Sequence, residues 1–201
     1  PLSRIICLAN SRKHGARCIA GLDTRTGAWI RPVSELDDGR LTKDRRLVDG
    51  REPELLELLE VPVADSGPDY GFESENRALL AGAWQSGGKV PASDLVRFCS
   101  TGPIILHNAE RYVTVEYLRS LPAGQRRTLE LAATEKFSVF HTGLSEHGGH
   151  KWHACLETSG GAKLTTRITD PVFVEQLECG HQPGERCLVT VSLSMPYCPA
   201  D

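Results

Sequence analysis

The sequence has no long hydrophobic run. Its apolar stretches, such as residues 61–64 and 103–106, are far shorter than the ~18 to 20 residues that a membrane-spanning helix requires. Residues 1–8 read as an opening strand, and they lack the basic segment, apolar core and cleavage site of a secretory signal. We therefore expect no membrane association.

The usual signatures of catalytic sites are also missing. The chain contains no Gly-x-Ser-x-Gly elbow, no Gly-x-x-x-x-Gly-Lys phosphate loop and no Gly-x-Gly-x-x-Gly dinucleotide motif. These absences remove the usual reasons to propose an enzyme, although they do not exclude one. We predict no catalytic residue.

A basic excess, which nucleic-acid-binding proteins usually carry, is absent as well, since the formal net charge is −3. The charge is nevertheless uneven: residues 1–51 carry a net charge of +5, whereas residues 52–110 carry −7. Aromatic residues make up only 6% of the chain, so any surface that stacks bases is expected to be small.

The seven cysteines include no Cys-x2-Cys pair. Cys7 and Cys187 lie among apolar residues, which is typical of buried thiols in a reducing compartment, so we expect a cytoplasmic protein with reduced cysteines. The histidines and cysteines of the second half have spacings that match no standard structural zinc site, and we predict no metal and no cofactor. These residues are His141, His147, His150, Cys155, Cys179, His181 and Cys187.

What is present is a strong β pattern. Alternating and β-branched residues dominate both ends of the chain, as in residues 4–8, 28–31 and 187–193. Glycine-bearing turns at residues 23–27 and 157–161 supply the positive φ that a tight hairpin needs. The chain is predicted to be mostly β.

One hairpin segment is repeated. Residues 17–24 and 151–158 match basic to basic, alanine to alanine, leucine to leucine, acid to acid and threonine to threonine, at an offset of 134 residues. A repeat of this length indicates two whole domains or half-domains and not a solenoid. We predict two tandem OB-like small barrels from an internal duplication, with Thr24 and Thr158 at equivalent positions.

The middle of the chain is less regular. Residues 54–61 fit a helix or a strand, of which we favour the strand, and residues 127–133 look helical. Short helices are expected to connect the barrels. The predicted segments are a first OB-like barrel at residues 1–91, which includes a long loop at residues 64–91, a helical connector at 92–135 and a second OB-like barrel at 136–201.

Two N-terminal runs, residues 4–21 and 27–34, resemble the prokaryotic dual OB-containing domain family. The resemblance continues at residues 169–171 and 187–197 and covers nearly the whole chain. It implies a tandem OB architecture with a nucleic-acid-binding role, and it implies no established reaction.

OB barrels bind strands of nucleic acid with cationic side chains for phosphates and aromatic faces for bases. Trp29 and Arg31 are two residues apart, so they are predicted to present a ring and a guanidinium on one face of a strand. The alternative is that Trp29 belongs to the core and Arg31 supports the barrel rim. The predicted nucleic-acid-binding residues are Arg12, Lys13, His14, Arg17, Trp29, Arg31, Trp152 and Arg167.

Three functions remain open from the sequence. We favour a non-enzymatic module that binds single-stranded or structured nucleic acid, DNA or RNA, because the N-terminal quarter is basic. The second is an enzyme or sensor that acts on a small nucleotide-like ligand in a cleft between the barrels, suggested by the overall acidic charge and the histidines of the second half. The third is a protein-interaction adaptor with no nucleic-acid role.

Overall fold

Strands predominate over helices in the computed structural model, which describes residues 1–110, 112–144 and 149–196. The first sheet and its helix comprise β1 (Leu2–Lys13), β2 (Ala16–Asp23), β3 (Trp29–Val33), α1 (Lys43–Arg46), β4 (Glu57–Pro62), β5 (Asn76–Ala78) and β6 (Gln85–Lys89). The rest of the chain comprises the 3-10 helix Ala92–Phe98, α2 (Val115–Ser120), the 3-10 turn Ala123–Gln125, β7 (Leu129–Leu144), β8 (His150–Thr158), β9 (Lys163–Arg167), α3 (Pro171–Glu178) and β10 (Leu188–Ser192). No helix in these described residues is long and apolar enough to cross a membrane.

Five strands of the first sheet close into a barrel. β1, β2 and β3 form an antiparallel meander, β4 pairs with the other edge of β1, and β5 runs parallel to β3. The chain just after β4 then meets β5, because the Ala64 N–H donates to the Ala78 carbonyl (2.8 Å) and Val63 bridges Leu79. The barrel order is therefore β1-β2-β3-β5-β4-β1, with β6 paired to the earlier part of β4.

Apolar residues at alternate strand positions fill the barrel interior, as the two-residue period of a strand requires. The buried set comprises Ile5, Cys7, Ile19, Ile30, Leu41, Val48, Leu59, Val61, Val63 and Trp84. At Gly21 a side chain would collide with the Ile6 carbonyl, so the close approach of β1 and β2 requires glycine there.

The second sheet repeats the first four barrel strands. Its order is β10-β7-β8-β9, all antiparallel, which matches β4-β1-β2-β3 of the first unit. A helix again lies between the third and fourth strands: α3 begins after Asp170, whose carboxylate accepts from the N–H groups of Val172 and Phe173. The described residues include no equivalent of β5, so in this part of the chain the second sheet is an open half-barrel.

The predicted mostly β architecture with two repeated units is confirmed. Residues 17–23 lie in β2 and residues 151–158 lie in β8, and each is the second strand of its meander. Both sheets begin with a long strand that pairs on either side with the second and fourth strands of its unit. The sequence match therefore marks a true structural repeat.

The register of that repeat differs from the prediction by one residue. The Gly27 N–H donates to the Asp23 carbonyl (2.8 Å), and the Gly161 N–H donates to the Thr158 carbonyl (2.9 Å). Thr158 thus corresponds to Asp23 at the base of the hairpin, and its predicted equivalence with Thr24 is wrong. A slip of one residue turns the side chains of a strand to the other face, so the aligned leucines of β2 and β8 lie in different clusters.

Two local predictions in the middle of the chain need correction. Residues 127–133 form no helix, because β7 begins at Leu129 and pairs with β10, and this tertiary pairing outweighs the helix propensity of the segment. The segment 64–91, expected to be a long loop, contains β5 and β6. The strand favoured at residues 54–61 is confirmed as β4.

The domain limits at residues 91 and 135 stay a proposal. The second sheet already begins at Leu129.

An apolar cluster joins the two sheets. Ile6 and Leu22, on the outer face of the barrel, pack with Leu95 of the 3-10 helix and Leu131 of β7. Trp29 is half-buried against the same cluster. The outer face of β1 to β3 is therefore largely covered by the rest of the chain.

Arg31 lies on β3 beside this cluster and is only 4% exposed. Its guanidinium contacts Glu73 (2.6 Å) and Glu75 (2.9 Å), which precede β5, and it donates to Thr128 Oγ1 (3.0 Å) just before β7. The Thr128 hydroxyl in turn donates to Glu75. Such partners offset the desolvation of a buried charge. Arg31 therefore connects the two units through buried contacts. The expectation of an accessible guanidinium beside Trp29 is corrected.

We expect Arg31→Ala to destabilise the protein by about 3–5 kcal/mol, because it leaves Glu73 and Glu75 buried without their cation. Urea denaturation measures the loss. Arg25→Ala, in the exposed β2–β3 turn, is the matched control and should change stability by no more than about 0.5 kcal/mol. Equal unfolding midpoints for both variants would contradict this role.

Candidate functional site

The outward face of β7, β8 and β9 is open to solvent and carries cations and aromatic rings. Its residues form three cross-strand triplets that are in register. We call this surface the β7–β9 face; it consists of Lys136–Glu157–Lys163, Ser138–Cys155–Thr165 and Phe140–His153–Arg167, together with Lys151.

Strict alternation along each strand creates this face. Phe137 and Val139 of β7, with Ala154 and Leu156 of β8, pack into the core of the second sheet. The residues between them must then point the other way, because successive side chains of a strand alternate. The same alternation that builds the core therefore directs the polar and aromatic set to solvent.

The third triplet combines a ring stack with a cation. The rings of Phe140 and His153 lie 5.4 Å apart, centroid to centroid, at an interplanar angle of 20°. Phe140 is 39% exposed although it is a large apolar residue, and Arg167 is exposed directly across the strand pair from His153. This arrangement offers a planar base an aromatic surface beside a guanidinium.

Positive charge dominates the β7–β9 face. Its four cations face one carboxylate, a net formal charge of +3. That carboxylate, Glu157, lies between Lys136 (3.5 Å) and Lys163 (3.6 Å), so these lysines share one partner. Exposed ion pairs of this kind contribute little to stability, and the lysines remain available to a polyanion.

Trp152 lies on the opposite face of β8. Its indole N–H donates to Glu178 of α3 (2.9 Å), and the same carboxylate accepts from the His150 backbone N–H (3.0 Å) and from His150 Nδ1 (2.8 Å). The His141 ring packs against His150 with centroids 4.3 Å apart. The structure therefore separates Trp152 from Arg167, which belongs to the β7–β9 face.

Four other predicted residues form the tip of the β1–β2 hairpin. Arg12 is exposed, and its backbone N–H donates to the Thr169 carbonyl (3.0 Å), two residues beyond Arg167. The Lys13 ammonium donates to the Asp38 carbonyl (2.5 Å), and His14 Nε2 lies 4.0 Å from the Asp38 carboxylate. The hairpin thus reaches the end of β9, with two of its side chains turned towards Asp38.

Arg17 pairs in register with Arg12 and is half-buried. Burial lowers the pKa of its guanidinium, against the opposing effect of Glu52, and the nearby Arg46 and Arg12 lower it further. Its Nη1 is buried without a hydrogen-bond partner among the described residues. Arg17 therefore contributes positive potential to the hairpin, and its half-buried guanidinium is less accessible for a direct contact with a ligand.

The sequence prediction missed most of the β7–β9 face, finding only Arg167. The missed members with aromatic or cationic side chains are Lys136, Phe140, Lys151, His153 and Lys163. Their signal was the alternation in residues 136–140 and 151–155, which becomes informative only when the two strands are paired in the correct register.

In the described parts of the chain, no group of three or more His, Cys, Asp or Glu side chains is arranged to hold a metal ion. His147 lies outside the described residues. The six described cysteines are free thiols, and burial raises the pKa of Cys7 to about 12, which makes that thiol unreactive.

Comparison with known protein families gives a match over nearly the whole chain. The family model described as the dual OB-containing domain matches residues 3–199. Neither the curated proteins nor the solved structures contain a significant match to the chain.

The hydrogen bonds to Glu178 suggest a pH test. Bonds from His150 and Trp152 hold the pKa of this carboxyl at about 2, below its ordinary 4.5. A lowered pKa stabilises the fold above pH 4.5, and that contribution is lost as the pH falls towards 2. Over this interval the unfolding free energy of the wild type should fall more steeply than that of Glu178→Gln, measured by urea denaturation. Parallel profiles would refute the assignment.

Proposed function

The chain belongs to the dual OB-containing domain family, and on that basis we propose that it binds single-stranded nucleic acid through the β7–β9 face. The observation that carries the proposal is the exposed triplet Phe140–His153–Arg167, in which a stacked pair of rings lies next to a cation. The binding is non-enzymatic.

The position of this face within its unit supports the proposal. OB folds bind oligonucleotides on their second and third strands and on the adjoining loops. By the order of the repeat, β8 and β9 are the second and third strands of the second unit. The rings and Arg167 therefore occupy the part of the fold that is most often used for this purpose.

The first unit offers less on its equivalent strands. Trp29 packs in the cluster between the sheets, and Arg31 is neutralised by two buried glutamates. Arg31 is therefore closed to a phosphate, and Trp29 is half-buried, so only part of its ring is open to a base. The β1–β2 hairpin, with Arg12 exposed, extends the positive surface beyond the end of β9.

The spacing of the side chains on the β7–β9 face suits an extended single strand of nucleic acid. Alternate residues of a β-strand lie roughly 6.6–6.8 Å apart, so the triplets present successive contacts at about that interval. A single-stranded nucleic acid can separate its bases by this distance and stack them on Phe140 and His153. The bases of a duplex are already stacked on one another. We therefore propose single-stranded DNA or RNA as the ligand.

The experiment is a fluorescence anisotropy titration with labelled oligothymidine and oligouridine of about 12 nucleotides, which lies within the site size of OB folds. Phe140→Ala should weaken binding by about 1–3 kcal/mol, the contribution of one stacked base. Arg167→Ala should weaken binding to all sequences and reduce the slope of log affinity against log salt by about 0.7, because one phosphate contact disappears.

Exposed residues away from the face provide the controls. Val172→Ala on α3 matches Phe140→Ala, and Arg25→Ala in the β2–β3 turn matches Arg167→Ala. Both controls should bind as the wild type does. Wild-type affinity in folded Phe140→Ala and Arg167→Ala proteins would refute the proposed site, and binding that does not depend on salt would argue for a small-ligand protein instead.

A further inference from the structure

A cleft of about 270 Å³ lies in the segment between the two sheets. It opens between the turn at Ile105–Asn108 and the start of α2, and two tyrosines flank it. Tyr112 and Tyr117 are 69% and 45% exposed, so both rings are open to solvent at the cleft. Neither residue belongs to the β7–β9 face, and the cleft lies near the other end of β7.

A third ring is held rigidly in this cleft. His107 Nε2 lies 3.0 Å from the Arg127 nitrogen, whose N–H donates to it, and the imidazole meets Tyr117 edge-on with centroids 5.9 Å apart. Leu106 and His107 have φ values of +49° and +81°, a left-handed backbone that non-glycine residues rarely adopt. Backbone strain of this kind is often retained where a ligand is clamped.

The remaining lining groups are small and polar. The Thr114 hydroxyl caps α2 by accepting from the Tyr117 N–H (3.2 Å), and Asn108 holds the loop by donating to the Tyr112 carbonyl (3.0 Å). Hydroxyls and ring nitrogens of this type match the donors and acceptors on the edges of a nucleobase, while the rings match its faces.

The described residues that line the cleft favour an uncharged ligand over a phosphate. Glu110 is the one formally charged residue among the described residues that line it. Burial lowers the pKa of His107, so its ring is neutral at pH 7. A phosphate group would find no cation among these described lining residues and would be repelled by Glu110.

We propose that this cleft binds the uncharged base of a nucleoside between Tyr112, Tyr117 and His107. Its volume is just below the range of ordinary small-molecule pockets, which suits a ligand of this size. The site is separate from the β7–β9 face, so the protein has two places that recognise bases by different means.

The test is a titration of the full chain with adenosine, guanosine, cytidine and uridine, in which binding is measured by NMR and by calorimetry. At least one nucleoside should saturate the protein below about 10 mM. Tyr112→Ala and Tyr117→Ala should each weaken that binding at least about fivefold, because each removes a stacking or edge contact. Tyr117→Phe, which keeps the ring, should bind within about twofold of the wild type.

Comparison with nucleotides and with a control variant completes the test. The nucleoside should bind at least as tightly as its 5′-monophosphate, and tighter binding of the monophosphate, with competition by inorganic phosphate, would overturn the inference. Circular dichroism verifies that the variants are folded. Val96→Ala, exposed on the 3-10 helix, controls for loss of surface area.

Two more results would also overturn the proposal. The first is the absence of saturable binding by all four nucleosides. The second is undiminished binding in both tyrosine variants together with loss in Phe140→Ala, because the nucleoside would then occupy the β7–β9 face. Neither result depends on whether oligonucleotides bind that face, so the two proposals can fail separately.

Discussion

The buried contact of Arg31 with Glu73, Glu75 and Thr128 holds this molecule together. It connects β3, the segment that leads into β5, and the first residue before the second sheet. Barrel closure through β5 and attachment of the second unit therefore share one ionic group. A charge at 4% exposure is tolerated only because both carboxylates approach it, and removing any partner would leave another buried and uncompensated.

This junction has a consequence for function. It uses the outer face of β3, and the adjoining cluster around Leu22 and Trp29 uses the rest of that wall. The corresponding wall of the second unit, the β7–β9 face, stays open and carries a net positive charge. One repeat thus contributes its strands to holding the units together, and the other presents its strands to solvent. The overall charge of −3 conceals this contrast, because residues 52–110 carry a net charge of −7.

Alternation and turn chemistry were enough to predict the β content, the repeat and the strand at β4. They could not fix the register of the repeat, because Thr24 and Thr158 match in sequence, whereas the hydrogen bonds within the two hairpins make Thr158 the structural equivalent of Asp23. The helix expected at residues 127–133 failed because pairing with β10 is a long-range contact. Arg31 was misread for a related reason: its partners, Glu73 and Glu75, are more than forty residues away in sequence and reach it only when the barrel closes. Phe140 and His153 were overlooked because they form a stack only across two paired strands.

We propose that the open wall of the second unit, and not the covered wall of the first, binds the nucleic acid. Amide chemical-shift mapping of the labelled protein with a single-stranded oligonucleotide of about 12 nucleotides would locate this contact. The largest shifts should fall in residues 136–140, 151–155 and 163–167, with smaller shifts at the β1–β2 hairpin. Shifts confined to β2 and β3 around Trp29, with the β7–β9 face unchanged, would contradict it.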